Sequence, residues 1–310
     1  MGNKIYFALS DVHGFASEME DALKQAGFEL GNEDHVLIVL GDVFDRGEEA
    51  LEVYHYLSNV PASRLILIKG NHESLYLDLL KKGHPKDYDF SNGTVGTFCQ
   101  IAKESIEPIE IFAELASFLG EDVLKTSEKE VWERTKRKVR TSEITAWLKS
   151  AQWRDYFELG PYLFVHSFIP LKIKKEYEAF YGKDYVSEVP SSCLEPFPSW
   201  RSKAGKKDWV QASWGCPYER FASGLFDKEL KKGKILVCGH WHTSDFFYRL
   251  KGIRTSKTDI YYSSHLIALD SGVQFGEGGK LIHDQNVLVI KDGVCFDKNG
   301  SPLKEPMGLI

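Results

Sequence analysis

The sequence predicts an α/β fold with mixed sheets and a helical insertion, on three observations. Short apolar runs alternate with amphipathic stretches over the first 80 residues, a long helical stretch follows at about 91–151, and the last third returns to short runs closed by an Asp292-Gly293 turn. The first pattern requires parallel pairing, because strands separated by a helix are joined by a crossover. The last requires antiparallel pairing, because a two-residue Asp-Gly turn folds a strand back on its neighbour.

Taken in order, residues 5–10, 36–40 and 65–68 read as strands, and 16–26, 49–57 and 73–80 as the helices that follow them. In the insertion Trp132, Val139 and Ala146 recur seven apart among charged neighbours, which predicts one helix laid over the body as a cap. Residues 163–165 and 235–238 are further strands. Between them, 170–216 lacks a clean period and carries Pro190, Pro196 and Pro198, so loops with short helices are expected. Runs at 246–250, 260–262, 266–269, 287–290 and 294–296 predict late strands. One domain over 1–310 is expected.

Composition narrows the class. With 39 basic against 45 acidic residues the formal charge is −6, which argues against a protein that coats nucleic acid by charge alone. No stretch approaches 18 apolar residues and no secretory leader precedes the first strand, so no membrane partner is expected. Gly2 lacks the Ser or Thr of a myristoylation signal, Tyr6 standing there instead. Cys99, Cys193, Cys216, Cys238 and Cys295 are odd in number and widely spaced, which fits neither a disulfide framework nor a Cys-X-X-Cys knuckle; a reducing cytoplasm is expected.

Five motifs follow strand-like runs: Asp11-Val12-His13, Gly41-Asp42-Val43-Phe44-Asp45-Arg46-Gly47, Gly70-Asn71-His72-Glu73, Val165-His166 and Gly239-His240-Trp241-His242. In an open parallel sheet the loops at strand carboxyl ends converge on one crevice, so groups remote in sequence meet there. Alone, Asp11-X-His13 is a turn, Asp45-Arg46 a surface ion pair and His72-Glu73 a helix start. In series, the carboxylates of Asp11 and Asp42, the amide of Asn71 and the imidazoles of His13, His166 and His240, with His242 as a further candidate, make an oxygen and nitrogen donor set without thiolate. That set suits manganese, iron or zinc better than calcium. If two ions sit side by side one carboxylate must bridge them, and Asp42, in the most glycine-constrained motif, is the candidate.

These residues resemble the phosphoprotein phosphatase family of the calcineurin-like metallophosphoesterases, whose Asp-X-His, Gly-Asp-X-X-Asp-Arg-Gly and Gly-Asn-His-Glu motifs stand intact in the first 73 residues. Asn92-Gly93 followed by Thr97 is similar to a segment of bacterial members, and 268–272 is similar to a strand end shared with diadenosine tetraphosphatases. The resemblance implies a four-layer α-β-β-α sandwich and two divalent ions, most simply Mn²⁺. Asp11, His13 and Asp42 would hold the first, and Asp42, Asn71, His166 and His240 the second. It implies in-line attack on phosphorus by a hydroxide shared by the ions, His72 protonating the leaving oxygen under the orientation of Asp45, and Arg46 clamping phosphate. Asn92 is a further substrate contact on this reading.

Two departures bear on substrate choice. His166-Ser167-Phe168 stands where many members have His-Ala-Gly, which puts a ring at the floor or rim of the pocket. Trp214-Gly215-Cys216 places a cysteine where a second phosphate arginine is usual, leaving Arg220 or Arg201 as substitutes and Trp214 at the rim. The basic run Arg134, Lys136, Arg137, Lys138 and Arg140 is either a solvated helix face or a contact for anionic substrate. The function expected is phosphoester hydrolysis of the serine/threonine phosphatase type, acting on a phosphoprotein or nucleotide. A dinucleoside polyphosphate hydrolase is the first rival, and a non-catalytic scaffold, which would show eroded ligands, the second.

Overall fold

A computed structural model of the chain describes residues 4–121, 124–150, 152–182, 186–256, 258–276 and 281–304. Gly2 and the expected end of the insertion at Ala151 lie outside these residues.

Two sheets form the centre. The first has six strands in the order Val294–Phe296, Leu288–Lys291, Ile5–Leu9, His35–Val39, Leu65–Ile68 and Trp153–Arg154; the second has five, in the order Tyr261–Tyr262, Leu266–Ala268, Ile235–Cys238, Tyr162–Val165 and Tyr156–Leu159. The early strands pair in parallel (Ile5 with His35, Leu37 with Leu65), and the last hairpin pairs antiparallel, Lys291 with Val294. Asp292 and Gly293 both have positive φ, as that tight turn requires.

Side-chain alternation builds the layers. Phe7, Leu9, Leu37, Val39, Leu65 and Leu67 face one apolar cluster with the helices Ala16–Gln25 and Ala50–Asn59. Their neighbours Ala8, Val36, Ile38, Ile66 and Ile68 face Phe164, Val237 and Ile267 of the second sheet. Leu163, Val165, Leu236 and Cys238 point outward to the helical side of that sheet. The result is the four-layer sandwich, helix, sheet, sheet, helix.

The insertion departs from the expected single cap helix. Trp132 and Val139 lie on the helix Ser127–Arg140, but Ala146 lies exposed on the next, Glu143–Leu148. The break is at Ser142, whose hydroxyl accepts from the Thr145 N–H and so starts a new helix. Trp132, stacked on Phe98 and donating to the Gly83 carbonyl, shares its apolar cluster with Leu37 and Val39, so the insertion extends the outer layer.

Residues 246–250 are likewise not a strand. They belong to the helix Thr243–Lys251, in which Phe246, Phe247 and Leu250 share an inward face and Gly252 closes the end in the left-handed region. The irregular region contains, besides short helices, a two-stranded pair of Leu171–Ile173 with Leu194–Pro196. Among the described residues no helix is long and apolar enough to cross a membrane.

Candidate metal centre

The parallel strands end in loops that bring the motifs together. The first two loops prolong the strand pairing: Asp11 N–H donates to the Gly41 carbonyl (3.1 Å), His13 N–H to Asp42 (2.9 Å) and Gly14 N–H to Val43 (2.9 Å). Gly41 has φ of +89°, and a Cβ on Gly70 would strike the Asp42 carboxylate. Backbone and carboxylate approach so closely that only glycine fits at 70.

Among the described residues two groups of donor atoms come within 4.8 Å of one another: His13, Asp42 and His72, and Asp42, His166 and His240. Asp42 belongs to both. His242 belongs to neither; it is exposed at the start of the helix Thr243–Lys251, against Gly272. Asp11 is buried and adjacent, its Oδ2 accepting from the His240 N–H at 3.0 Å and from Ser10 Oγ.

The ring geometry suits cations. His166 Nδ1 donates to the Leu40 carbonyl (2.6 Å), which leaves Nε2 facing Asn71 Oδ1 (2.9 Å) and Asp42 Oδ2 (3.4 Å). A bare Nε2 and two oxygens converging on one point are three acceptors without a donor, so either a proton or a metal ion must sit among them. The protonated form is accordingly favoured in the chain alone: burial opposes it, yet the Asp42 carboxylate pushes the His166 pKa up to about 10. Burial and the Arg46 charge hold His13 well below the usual imidazole range, and burial with the His166 charge brings His240 down to about 3. Neutral imidazoles are the form that donates to a metal. The residues present therefore fit the dinuclear centre that the resemblance implies.

Beside this set, His72 Nδ1 lies 2.7 Å from Asp45 Oδ2, and its Nε2 lies 3.9 Å from Asp42 Oδ2. Burial disfavours the imidazolium, but Asp42 and the Asp45 bond outweigh it and the His72 pKa is raised. Asp45 is itself fixed by Thr94 Oγ1 and Thr97 Oγ1, each at 2.8 Å, from the first turns of the helix Thr94–Ala102. Arg46 is exposed, and its charge depresses protonation of both His13 and His72. Asn92 caps the helix Asp87–Ser91, its amide donating to the Tyr88 carbonyl at 2.7 Å.

Phe168 is buried against Phe226 in the second sheet's outer cluster, and it lines the cavity beside His166. Trp214 is partly exposed, its ring 6.2 Å from that of His240. The substitute arginines do not face the site. Arg220 is buried and donates to the carbonyls of Val186, Ser187 and Val189, bracing the irregular region, while Arg201 pairs with Glu158 and Glu229. Each guanidinium is drawn to a local cluster of acceptors.

Two features lay beyond the sequence reading. Glu73 accepts from the N–H groups of Gly70 (2.6 Å), Asp42 (3.1 Å) and Val43 (3.0 Å), and so ties the second motif to the third. Its place at the third position of a helix capping box was the available signal. Glu73→Gln would keep one acceptor oxygen and put an amide donor in place of the other, against the Val43 N–H or against those of Gly70 and Asp42. We expect a loss of about 1–3 kcal/mol, read as a lower melting temperature together with weaker metal retention; unchanged values of both would remove Glu73 from this bracing role. The second feature is strain: Asp11, His13, Asp42, Asp45, Arg46 and His240 all have positive φ, six of the nine non-glycine residues so described.

An imidazole and carboxylate set at the carboxyl ends of two facing sheets is the donor set of a metal-dependent protein. The profile of the calcineurin-like phosphoesterases matches residues 6–244, and the chain belongs to that family. The family uses a dinuclear metal centre to hydrolyse phosphoesters, and the His and Asp groups described above are able to bind metal. No curated protein sequence gives a significant match.

Several solved structures are similar. A mutant cold-active protein tyrosine phosphatase is 18% identical over 97% of this chain and 80% of its own, with a TM-score of 0.49. A protein serine/threonine phosphatase from Saccharomyces cerevisiae is 10% identical over 98% of this chain and 82% of its own, at 0.45. A protein assigned as a diadenosine tetraphosphatase is 15% identical over 98% and 96%, at 0.41.

Proposed function

We propose that the chain is a phosphomonoesterase of the serine/threonine protein phosphatase type, one unit with a helical insertion, working with two Mn²⁺ ions in the cytoplasm on phosphorylated substrates. The observation that carries this reading is Asp42, common to both donor groups, beside the His72–Asp45 pair. In this reading Asp11, His13 and Asp42 hold one ion and Asp42, Asn71, His166 and His240 the other. The donor set of carboxylate, amide and imidazole supports Mn²⁺, with iron or zinc the next choices. Ions held there supply an acidified water and neutralise phosphate oxygens.

The chain's own groups do the remaining work. His72 donates its Nδ1–H to Asp45, and the Asp42 and Asp45 carboxylates favour its imidazolium form, so that it also carries a proton at Nε2 and delivers that proton to the leaving oxygen. Asp45 is a positioning residue, held in turn by Thr94 and Thr97. Arg46 supplies a planar pair of donors for phosphate oxygens. Asp270, in the stretch similar to diadenosine tetraphosphatases, accepts from the Gly272 N–H in a local turn. In the basic run Arg134 and Lys138 are paired with Glu104.

Arg46→Ala tests the division of labour. A guanidinium clamps oxygens and cannot ligate a cation. We expect metal content to be unchanged and kcat/KM for p-nitrophenyl phosphate to fall by about 10- to 100-fold, the loss of a charge-assisted contact. Loss of metal would contradict the assignment.

A further inference from the structure

The geometry points to a second binding site, for a compact organic anion of nucleoside monophosphate size, in a cavity beside the metal centre. This cavity measures about 500 Å³ and lies between the helix Asn71–Leu79, the end of the insertion and the helix Lys206–Ser213. Of the residues discussed as metal donors only His166 lines it; Asp42, His72, His13 and His240 do not. It is therefore a neighbour of the reaction centre, with its own walls.

The walls specify the ligand. Leu77, Leu80, Leu148, Phe168 and Trp209 give an apolar surface, and Trp209 is stiffened by stacking on Tyr156 at 13° and 5.4 Å. A stiff aromatic plate in an apolar wall suits a flat ring. The charges are not balanced. Lys69 pairs with Asp155 and Lys81 with Asp78, and Glu73 is spent on backbone N–H groups. Arg140, Lys149 and Lys206 line the same space without a carboxylate partner among the described residues. Among the described residues the Arg140 side chain bonds the Leu80 carbonyl at 3.0 Å, which places the last residue of the basic run at the cavity.

Five cations against three carboxylates leave two positive charges in surplus around a partly apolar pocket, which favours a doubly charged head on a ring. In the wall, the buried Ser150 Oγ and Trp153 Nε1 also lack partners among the described residues, so small adjustments offer further donors. An extended peptide fits such a space less well than a compact molecule of this size.

The test is titration of metal-depleted protein with adenosine 5′-monophosphate by calorimetry, a condition under which hydrolysis does not intervene. We expect one saturable site per chain. Arg140→Met and Lys206→Met should each weaken it about tenfold, the worth of one charge-assisted contact. Lys206 is exposed and unpaired among the described residues, so its replacement leaves folding intact even if Arg140→Met does not. Turnover of p-nitrophenyl phosphate should stay within about twofold in the Lys206 variant. Absence of saturable binding, affinity unmoved by Lys206→Met, or binding that requires metal and is displaced by inorganic phosphate would each overturn the proposal. These outcomes are independent of whether the metal centre is a phosphomonoesterase.

Discussion

Asp42→Asn is expected to lose both metal ions and at least about 10³-fold in kcat, because one side chain contributes to both donor groups. The fold should survive. Asn tolerates the left-handed backbone that Asp42 adopts, at φ of +52°, and its amide oxygen can still accept the His72 N–H that now bonds Asp42 Oδ1 at 3.0 Å. The expected signature is thus a near-native circular dichroism spectrum with metal content near zero by mass spectrometry. Asp11→Asn should spare more of the second ion, since in the proposed assignment Asp11 serves the first ion alone while Asp42 serves both. Two tightly held ions with normal turnover in Asp42→Asn would refute the bridging assignment.

The second large effect concerns His72→Asn. With an alkyl phosphate, whose leaving alkoxide must be protonated, kcat should fall about 10²- to 10⁴-fold. With p-nitrophenyl phosphate, which departs as a stable anion, the fall should be far smaller. Metal content is the deciding companion measurement, because His72 lies within one of the donor groups. In the proposed assignment His72 carries a proton and not a metal at Nε2, so retention of metal is expected, and the two substrates should separate. Equal losses on both, or loss of metal, would recast His72 as a ligand or a brace.

The candidate centre was largely legible in the sequence because each of its donors sits within four residues of a strand end, and strand ends of a parallel sheet point to one crevice. The strands at 5–10, 36–40 and 65–68 were legible as apolar runs, while the division of their side chains between two faces is seen only in the apolar clusters. Other features depend on tertiary partners that a linear pattern does not carry. Phe246 and Leu250 read as strand residues until Gly252 and the packing of Phe246 are seen to favour a helix. The heptad of Trp132, Val139 and Ala146 was accidental, its last member lying beyond the Ser142 cap. Arg220 and Arg201 looked available for phosphate only because their acceptors, remote carbonyls in one case and Glu229 in the other, are distant in sequence. Glu73 was in plain view within its motif, but its three N–H donors come from segments about 30 residues apart, a relation visible only after folding.

The left-handed residues of the metal loops also bear on how such a chain could change over time. At about 1 kcal/mol each, six of them cost an amount on the order of the net stability of a whole domain. Glycine at His13, Asp45 or Arg46 would relieve that cost, and activity is the evident force that keeps it out. A lineage freed from catalysis should drift toward glycine and asparagine at these positions and become harder to melt as it does so, making the retained side chains a record of continuous use.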